Sequence, residues 1–300
     1  MRSLEEAIPV QGKAEDFPLG EAPAWQGHAG YQPVASTDLK ARRTRISSED
    51  GSAVWREWGS GPTIVMLHGG AGSWSHFLRQ VDAFSHDHHV IIPDLPGFGD
   101  SADCNPKADP ERMARILVAG IDRLAGDKPI YLVGFSYGGI IGGFVARMIA
   151  PRIRGFVVVG GVGFDARRQS VDLSSWRHLK DTDERRAIHR KNLRAIMIAN
   201  EDRIDETAIM IQQSNAERSR HDTRPTARSR PLTAMLDASK VPLAAIWGEH
   251  DQLAAPFFEE RCAWLAERDP KAQFRLIADA GHWVQYEAAD AFNAELRNCL

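Results

Sequence analysis

A serine held between glycines, Gly134-Phe135-Ser136-Tyr137-Gly138, follows the apolar run Ile130 to Val133 and precedes a segment with helical patterning. Each glycine inside a helix costs roughly 1 kcal/mol relative to alanine, yet Gly138, Gly139, Gly142 and Gly143 all fall there. Local propensity does not account for them. A sharp strand-to-helix turn does. It lifts the serine hydroxyl clear of a sheet and forces unfavourable backbone angles on the serine. It also brings the residues two before and two after it so close that side chains would collide. Ser136 on such a turn is a candidate nucleophile. The rival uses are a glycine-rich turn without chemistry and a phosphate loop, and the G-x-G-x-x-G or G-K-[ST] spacing of the latter is missing.

A serine hydroxyl needs a base at neutral pH. His282, in Ala278-Asp279-Ala280-Gly281-His282-Trp283, sits between the last expected strand and the last expected helix. A neutral imidazole there would accept the serine proton and later pass it to a leaving group. The base in turn needs a carboxylate to fix its tautomer and stabilise the imidazolium. Asp251 closes the preceding expected strand and is preferred, with Asp165 and Glu249 as rivals and Asp279 too near His282 in sequence to reach its ring easily. Negative oxygen in a tetrahedral intermediate would be held by backbone N–H groups, which are already oriented. Tyr137, directly after Ser136, and Gly70, in the His68-Gly69-Gly70 turn, are expected to supply them. His68 reads as a structural hydrogen-bonding residue, and Asp94 as a residue that shapes a loop rather than a catalyst.

These residues close short apolar runs, and the runs define the elements that position them. Thr63 to Gly69, His89 to Gly97, Pro129 to Phe135, Arg154 to Gly161, Val241 to Asp251 and Phe274 to His282 are continuous and rich in β-branched residues. That suits strands buried on both faces of a parallel sheet. Helical stretches lie between them, near 73–84, 110–125, 137–150, 256–267 and 284–299. The alternation implies an α/β fold, a doubly wound and mostly parallel sheet, in which ligands sit beyond the carboxyl ends of the strands. Glu49-Asp50-Gly51 separates two alternating runs and predicts a hairpin before the first of them.

Residues 1–42 are expected to form an irregular extension, because Pro9, Pro18, Pro23 and Pro33 would break any helix; Phe17, Leu19, Trp25 and Tyr31 are the side chains able to pin it. Residues 43–162 and 231–300 then make the core. The stretch 163–230 has no strand signal, only helical spacing, with fifteen basic residues against eleven acidic ones. It reads as a helical cap inserted over the sheet edge.

The 300 residues are 43% hydrophobic with a formal net charge of -3. That supports a sizeable core and gives no general attraction to nucleic acid or an anionic membrane. Cys104, Cys262 and Cys299 lack paired spacing, which excludes a disulfide framework or a zinc site as the expectation. No apolar run is long enough to cross a membrane, and the first twenty residues lack the apolar stretch of a secretory signal. The expectation is a cytoplasmic protein with no cofactor and no metal, acting on a small molecule; a homodimer is compatible with it.

The motifs Leu67-His68-Gly69-Gly70, Asp94 to Ser101, Gly134 to Gly139, Gly248 to Asp251 and Ala280 to Trp283, in that order, resemble the α/β-hydrolase superfamily over residues 43–300. The resemblance implies a catalytic triad in the chain order Ser136, Asp251, His282. Superfamily members that are dehalogenases or epoxide hydrolases use an aspartate nucleophile, so Ser136 argues against those activities. A narrower resemblance is to the hydrolases that cleave carbon–carbon bonds in ring-opened aromatic products, carried by Gly281 to Leu296 and by the loop from His68 to Trp74. Those enzymes usually carry Asn before the nucleophile, where this chain has Phe135. They also carry a cap Arg that pairs with the substrate carboxylate, where this chain has Gln212 with Arg218 and Arg220 nearby. The expected activity is hydrolysis of a small to medium carboxylic ester through an acyl-enzyme. The alternatives are the carbon–carbon cleavage and a ligand-binding protein without turnover. Phe135, Tyr137, Trp74, Trp283 and Gln212 are the expected pocket residues.

Overall fold

The computed structural model describes residues 13–18, 27–103, 109–164, 171–227, 229 and 231–300. The chain runs β1 (Lys13–Asp16), α1 (Tyr31–Leu39), β2 (Arg42–Ser48), β3 (Gly51–Trp58) and β4 (Thr63–Leu67). A 3-10 turn, Trp74–Phe77, leads into α2 (Leu78–Phe84). Then come β5 (His89–Pro93), α3 (Pro110–Ala125), β6 (Ile130–Phe135), α4 (Tyr137–Met148) and β7 (Ile153–Val159). Between β7 and β8 stand α5 (Thr182–Asn192), a π turn at Leu193–Met197, α6 (Glu206–Glu217), α7 (Arg224–Ala227) and α8 (Pro231–Ser239). The chain closes with β8 (Leu243–Gly248), α9 (Phe258–Arg268), β9 (Gln273–Ile277), α10 (Val284–Glu287) and α11 (Ala289–Cys299).

The sheet order is β1-β2-β3-β5-β4-β6-β7-β8-β9. Strands β4 to β9 are parallel neighbours, and β1, β2 and β3 add an antiparallel edge joined to β5 through β3. Ile64, Val65, Met66 and Leu67 of β4 are all shut off from solvent. Val65 and Leu67 join the apolar cluster with α3, α4 and α8, whereas Ile64 and Met66 join the one with α2 and α11. A strand with helices over both faces has no polar side, which is why its sequence runs apolar without alternation. The chain order reverses between β4 and β6: β5 lies on one side of β4 and β6 on the other. Such a switch point opens a crevice at the carboxyl ends of the strands.

The described parts of residues 1–42, 13–18 and 27–42, include a strand and a helix where irregular chain was expected. Strand β1 pairs antiparallel with β2, Lys13 opposite Ser47, and Tyr31–Leu39 is a helix that contains Pro33. Proline is tolerated there because the amides of a first helical turn have no partner within the helix, so nothing is lost at Pro33. Asp38 of α1 binds Arg43 at 3.2 Å and Arg56 at 2.6 Å, and the Thr37 carbonyl accepts the Trp58 indole N–H at 3.0 Å. Phe17 lies under the Arg45 guanidinium, 4.7 Å from its ring centre. Leu19 and Trp25 lie outside the described residues.

Among the described residues, no helix is long and apolar enough to cross a membrane.

Candidate active site

Ser136 has φ 51° and ψ -114°, a conformation that L residues rarely adopt. The strain follows from the chain leaving β6 and entering α4 at that residue with no loop between them. A side-chain carbon on Gly134 would stand 2.7 Å from the Gly138 carbonyl oxygen, and one on Gly138 would overlap the carbonyl oxygens of Leu67 and His68. Glycine at both positions is therefore a steric requirement.

His282 bridges the two other expected members of the site. Its Nε2 lies 3.0 Å from Ser136 Oγ, and its Nδ1 lies 2.8 Å from Asp251 Oδ2. A carboxylate only accepts hydrogen bonds, so Nδ1–H donates to Asp251, and Nε2 is left to accept the Ser136 O–H. Asp251 is fully buried, and its other oxygen accepts the Leu253 N–H at 2.9 Å. Of its rivals, Glu249 is exposed and accepts the Asp279 N–H, Asp279 is exposed, and Asp165 lies outside the described residues. Phe135 packs its ring 5.0 Å from that of His282.

The loop after β4 runs against the serine. A side-chain carbon on Gly69 would lie 3.3 Å from Ser136 Cβ. One on Gly70 would lie 2.9 Å from the Thr223 hydroxyl, so the segment after α6 reaches over this loop. Two buried histidines fix the loop. His68 Nε2 accepts the Leu95 N–H at 2.9 Å, which leaves its Nδ1–H to donate to the Gly69 carbonyl at 2.7 Å. Burial holds the His68 pKa down at about 4, so the ring is neutral. His76 Nδ1 accepts the Gly69 N–H at 3.3 Å, and burial, with His68 and His282 nearby, keeps it well below the ordinary range.

Asp94 does not reach the serine. It accepts the Trp74 N–H at 2.8 Å, the Asp100 N–H at 2.9 Å and Arg56 at 3.1 Å. Burial alone would lower the Arg56 pKa, but Asp94, Asp38 and Asp100 hold the guanidinium above its ordinary value. This charged knot fixes the loop before α2 from behind, as expected of Asp94.

Trp74 and Trp283, expected as pocket walls, are both buried. Trp74 packs on Trp58 at 5.5 Å under the Arg56 guanidinium. Trp283 is fully buried, stacks on Tyr286 at 4.2 Å and donates its indole N–H to the His76 carbonyl. Gln212 is half-buried on α6; Asn215 on the same helix, which sequence reasoning missed, is buried, with Nδ2 3.4 Å from Ser75 Oγ. Arg218 and Arg220 pair with Asp100 and Asp103 at 2.8 and 2.9 Å. His221, also missed, faces the Tyr137 hydroxyl at 3.1 Å. No local pattern marks His221, since its partner lies 84 residues away.

Among the described residues, one group has the spacing of metal ligands, Glu249, His250 and Asp279, and all three are exposed. An open groove of about 1070 Å³ on the same side is lined by Arg79, Arg194, Asn200, His250 and Glu287, and excludes Ser136.

The alpha/beta hydrolase family pattern matches residues 64–295, and the chain belongs to that family. It is similar to a 2-hydroxy-6-oxononadienedioate/2-hydroxy-6-oxononatrienedioate hydrolase of Paraburkholderia phymatum, 28% identical over 79% of this chain and 86% of the relative. A 2-hydroxy-6-oxo-6-phenylhexa-2,4-dienoate hydrolase of Burkholderia cepacia is also 28% identical, over 78% and 86% of the two chains. The fold is similar to that of a thermophilic esterase from Thermogutta terrifontis, with a TM-score of 0.64, 23% identity and coverage of 86% and 97%. A meta-cleavage product hydrolase from Pseudomonas fluorescens gives a TM-score of 0.66 at 20% identity, with coverage of 82% and 93%. The chain is thus an enzyme of the hydrolase class, and cleavage of an ester or of a carbon–carbon bond both fit.

Proposed function

We propose that the chain is a cofactor-independent serine hydrolase acting on a small to medium carboxylic ester. The observation that carries this reading is the row Ser136–His282–Asp251, with 3.0 and 2.8 Å between successive members. Ser136 attacks the carbonyl carbon as His282 takes its proton. Asp251 orients the imidazole and stabilises its charged form. The N–H groups of Gly70 and Tyr137 hold the oxyanion, His282 protonates the leaving alkoxide, and water then releases the acid from the acyl-enzyme by the same route. Residues 163–230 act as the cap that covers the reaction and selects the substrate, with Phe135 beside the base. The unpaired spacing of the cysteines supports a cytoplasmic setting.

The second reading, hydrolysis of a 2-hydroxy-6-oxo-dienoate, is favoured by the names of the two relatives at 28% identity. It needs a cation for the substrate carboxylate, and the two arginines expected to stand in for one, Arg218 and Arg220, are engaged by Asp100 and Asp103. That favours the ester. The deciding measurement is kcat/KM on a nitrophenyl ester against a hydroxy-oxo-dienoate. The ester is expected to be preferred, and a preference for the dienoate by about 100-fold or more, some 2.7 kcal/mol, overturns the choice. A fluorophosphonate is expected to label the protein and to spare Ser136→Ala; folded protein that resists labelling would be a binding protein without turnover.

A further inference from the structure

One buried carboxylate near the site takes no part in the chemistry described above. Glu287 ends α10, five residues after His282, and is 4% exposed. Its Oε2 accepts the Gly281 N–H at 2.7 Å and the Ala199 N–H at 2.9 Å, while Oε1 accepts the Asn200 N–H at 2.7 Å. Gly281 immediately precedes His282. Immediately after it, the Trp283 N–H donates to the Met197 carbonyl at 2.7 Å. The backbone N–H groups of the residues on both sides of the histidine are thus bound, directly or through one carboxylate, to residues 197–200. Met197 is the last residue of the π turn Leu193–Met197, and residues 198–200 follow it.

We propose that Glu287 is a positioning residue for His282. Its carboxylate fastens the loop that carries the imidazole to the end of the π turn, so that the segment inserted between β7 and β8 helps hold the base in place as well as covering the site. Three N–H donors converging on two anionic oxygens make short, charge-assisted bonds. A neutral amide reproduces the acceptor on one side only, because its own N–H₂ meets a donor on the other. The loop then keeps its course but loses the fixed distance between imidazole and serine, and general acid–base transfer depends on that distance.

The inference rests on the serine-hydrolase reading, and the test separates the two. Glu287→Gln is prepared in the full chain, and its kinetics are normalised to the fraction labelled by a fluorophosphonate. With a nitrophenyl ester, kcat is expected to fall about tenfold or more while KM stays within about threefold. The loss in kcat/KM is expected to be larger for an alkyl ester. Its alkoxide needs a proton from His282 to leave, whereas nitrophenolate does not. The Ala199, Asn200 and Gly281 amides are expected to lose protection from hydrogen exchange while those of β6 keep theirs. Unchanged kcat in folded variant, equal losses on the two esters, or unchanged protection of the three amides would overturn the proposal. If Glu287→Gln does not fold, Glu287→Asp, which keeps the charge and shortens the reach, is held to the same criteria. Wild-type protein inert to both esters, or activity surviving in Ser136→Ala, would mean that the serine ester hydrolase reading has failed instead; amide exchange still judges the clamp.

Discussion

Leu67 of β4 is paired directly with Gly134 of β6. Counting two residues beyond each partner gives Gly69 and Ser136, which is why the loop after β4 lies against the serine. The neighbouring strands continue the arrangement. Phe135 pairs with Val159, the Ser136 N–H donates to the Val159 carbonyl at 2.8 Å, and Val159 pairs with Ile246. Asp251 and His282 then come off adjacent strands, β8 and β9, paired as far as Gly248 and Ile277. The register of a buried sheet cannot slip by one residue without turning every side chain to the other face. The meeting of three side chains spread over about half the chain is thus a consequence of strand order.

The role assigned to Asp251 predicts the effect of Asp251→Asn. The amide keeps the shape but is able to donate to Nδ1, which stabilises the tautomer with the proton on Nε2, where the serine needs an acceptor. Turnover is expected to drop by about 10⁴ with the melting temperature nearly unchanged. Near-normal activity would move the role to another carboxylate, Asp165 being the first to examine.

Gly138 makes the sharpest structural prediction. A methyl group there would overlap the carbonyl oxygens of Leu67 and His68, which are backbone atoms of a central strand and its loop. Neither is free to yield. Gly138→Ala is expected to lower stability by about 3 kcal/mol or more, or to prevent soluble expression. Gly126→Ala serves as the control: it has the left-handed φ of 58° but nothing within 4 Å of the added carbon. Backbone strain alone should cost about 1–3 kcal/mol there, less than the steric clash at Gly138. Equal midpoints in urea for the two variants would refute the steric account.

What could be read in advance follows from the kind of force involved. Strands β4 to β9 were legible because burial on both faces writes a continuous apolar run into the sequence, and Ser136 because a steric requirement writes glycine at fixed distances from it. Helix α1 was not legible. Its proline argued against a helix, and its hold on the body comes from Asp38 meeting Arg43 and Arg56, a contact no local pattern displays. Glu287 and Asn215 were missed for a related reason. Their partners are backbone amides or a hydroxyl brought near by tertiary folding, so nothing beside them in the chain betrays the contact.

The neutral state of His68 gives a pH dependence with a definite sign. Burial holds its pKa in the folded chain at about 4, against 6.5 for an unhindered histidine. Between those values the unfolded chain binds a proton that the folded chain does not, so stability rises with pH across that window. The contribution is complete above about pH 6.5 and is lost as the pH falls towards 4. From pH 7 to pH 5, His68 alone should account for about 2 kcal/mol of lost stability. Denaturant titrations at the two pH values measure it, and a His68→Gln chain that folds should show a correspondingly smaller difference. An identical pH response in wild type and variant would dismiss His68 as its source.

The segment between α6 and α7 offers the last test. The Arg220 N–H donates to the Gly97 carbonyl at 3.0 Å, and its guanidinium binds Asp103 and the Ser101 carbonyl, while Arg218 binds Asp100. These contacts bring His221 to Tyr137 and Thr223 over Gly70. Both arginines are more than a third exposed, so each ion pair is worth no more than about 1 kcal/mol to the fold. Their effect on the site should be larger than their effect on stability. In the double variant Arg218→Ala, Arg220→Ala, the amides of residues 218–223 should exchange faster and KM should rise several-fold, with the unfolding midpoint only slightly lowered. Added salt should raise the wild-type KM and leave the variant's flat, because screening weakens only pairs that are present. A variant with wild-type KM and unaltered amide exchange would mean that the backbone bond to Gly97 and the packing of Thr223 hold the segment without them.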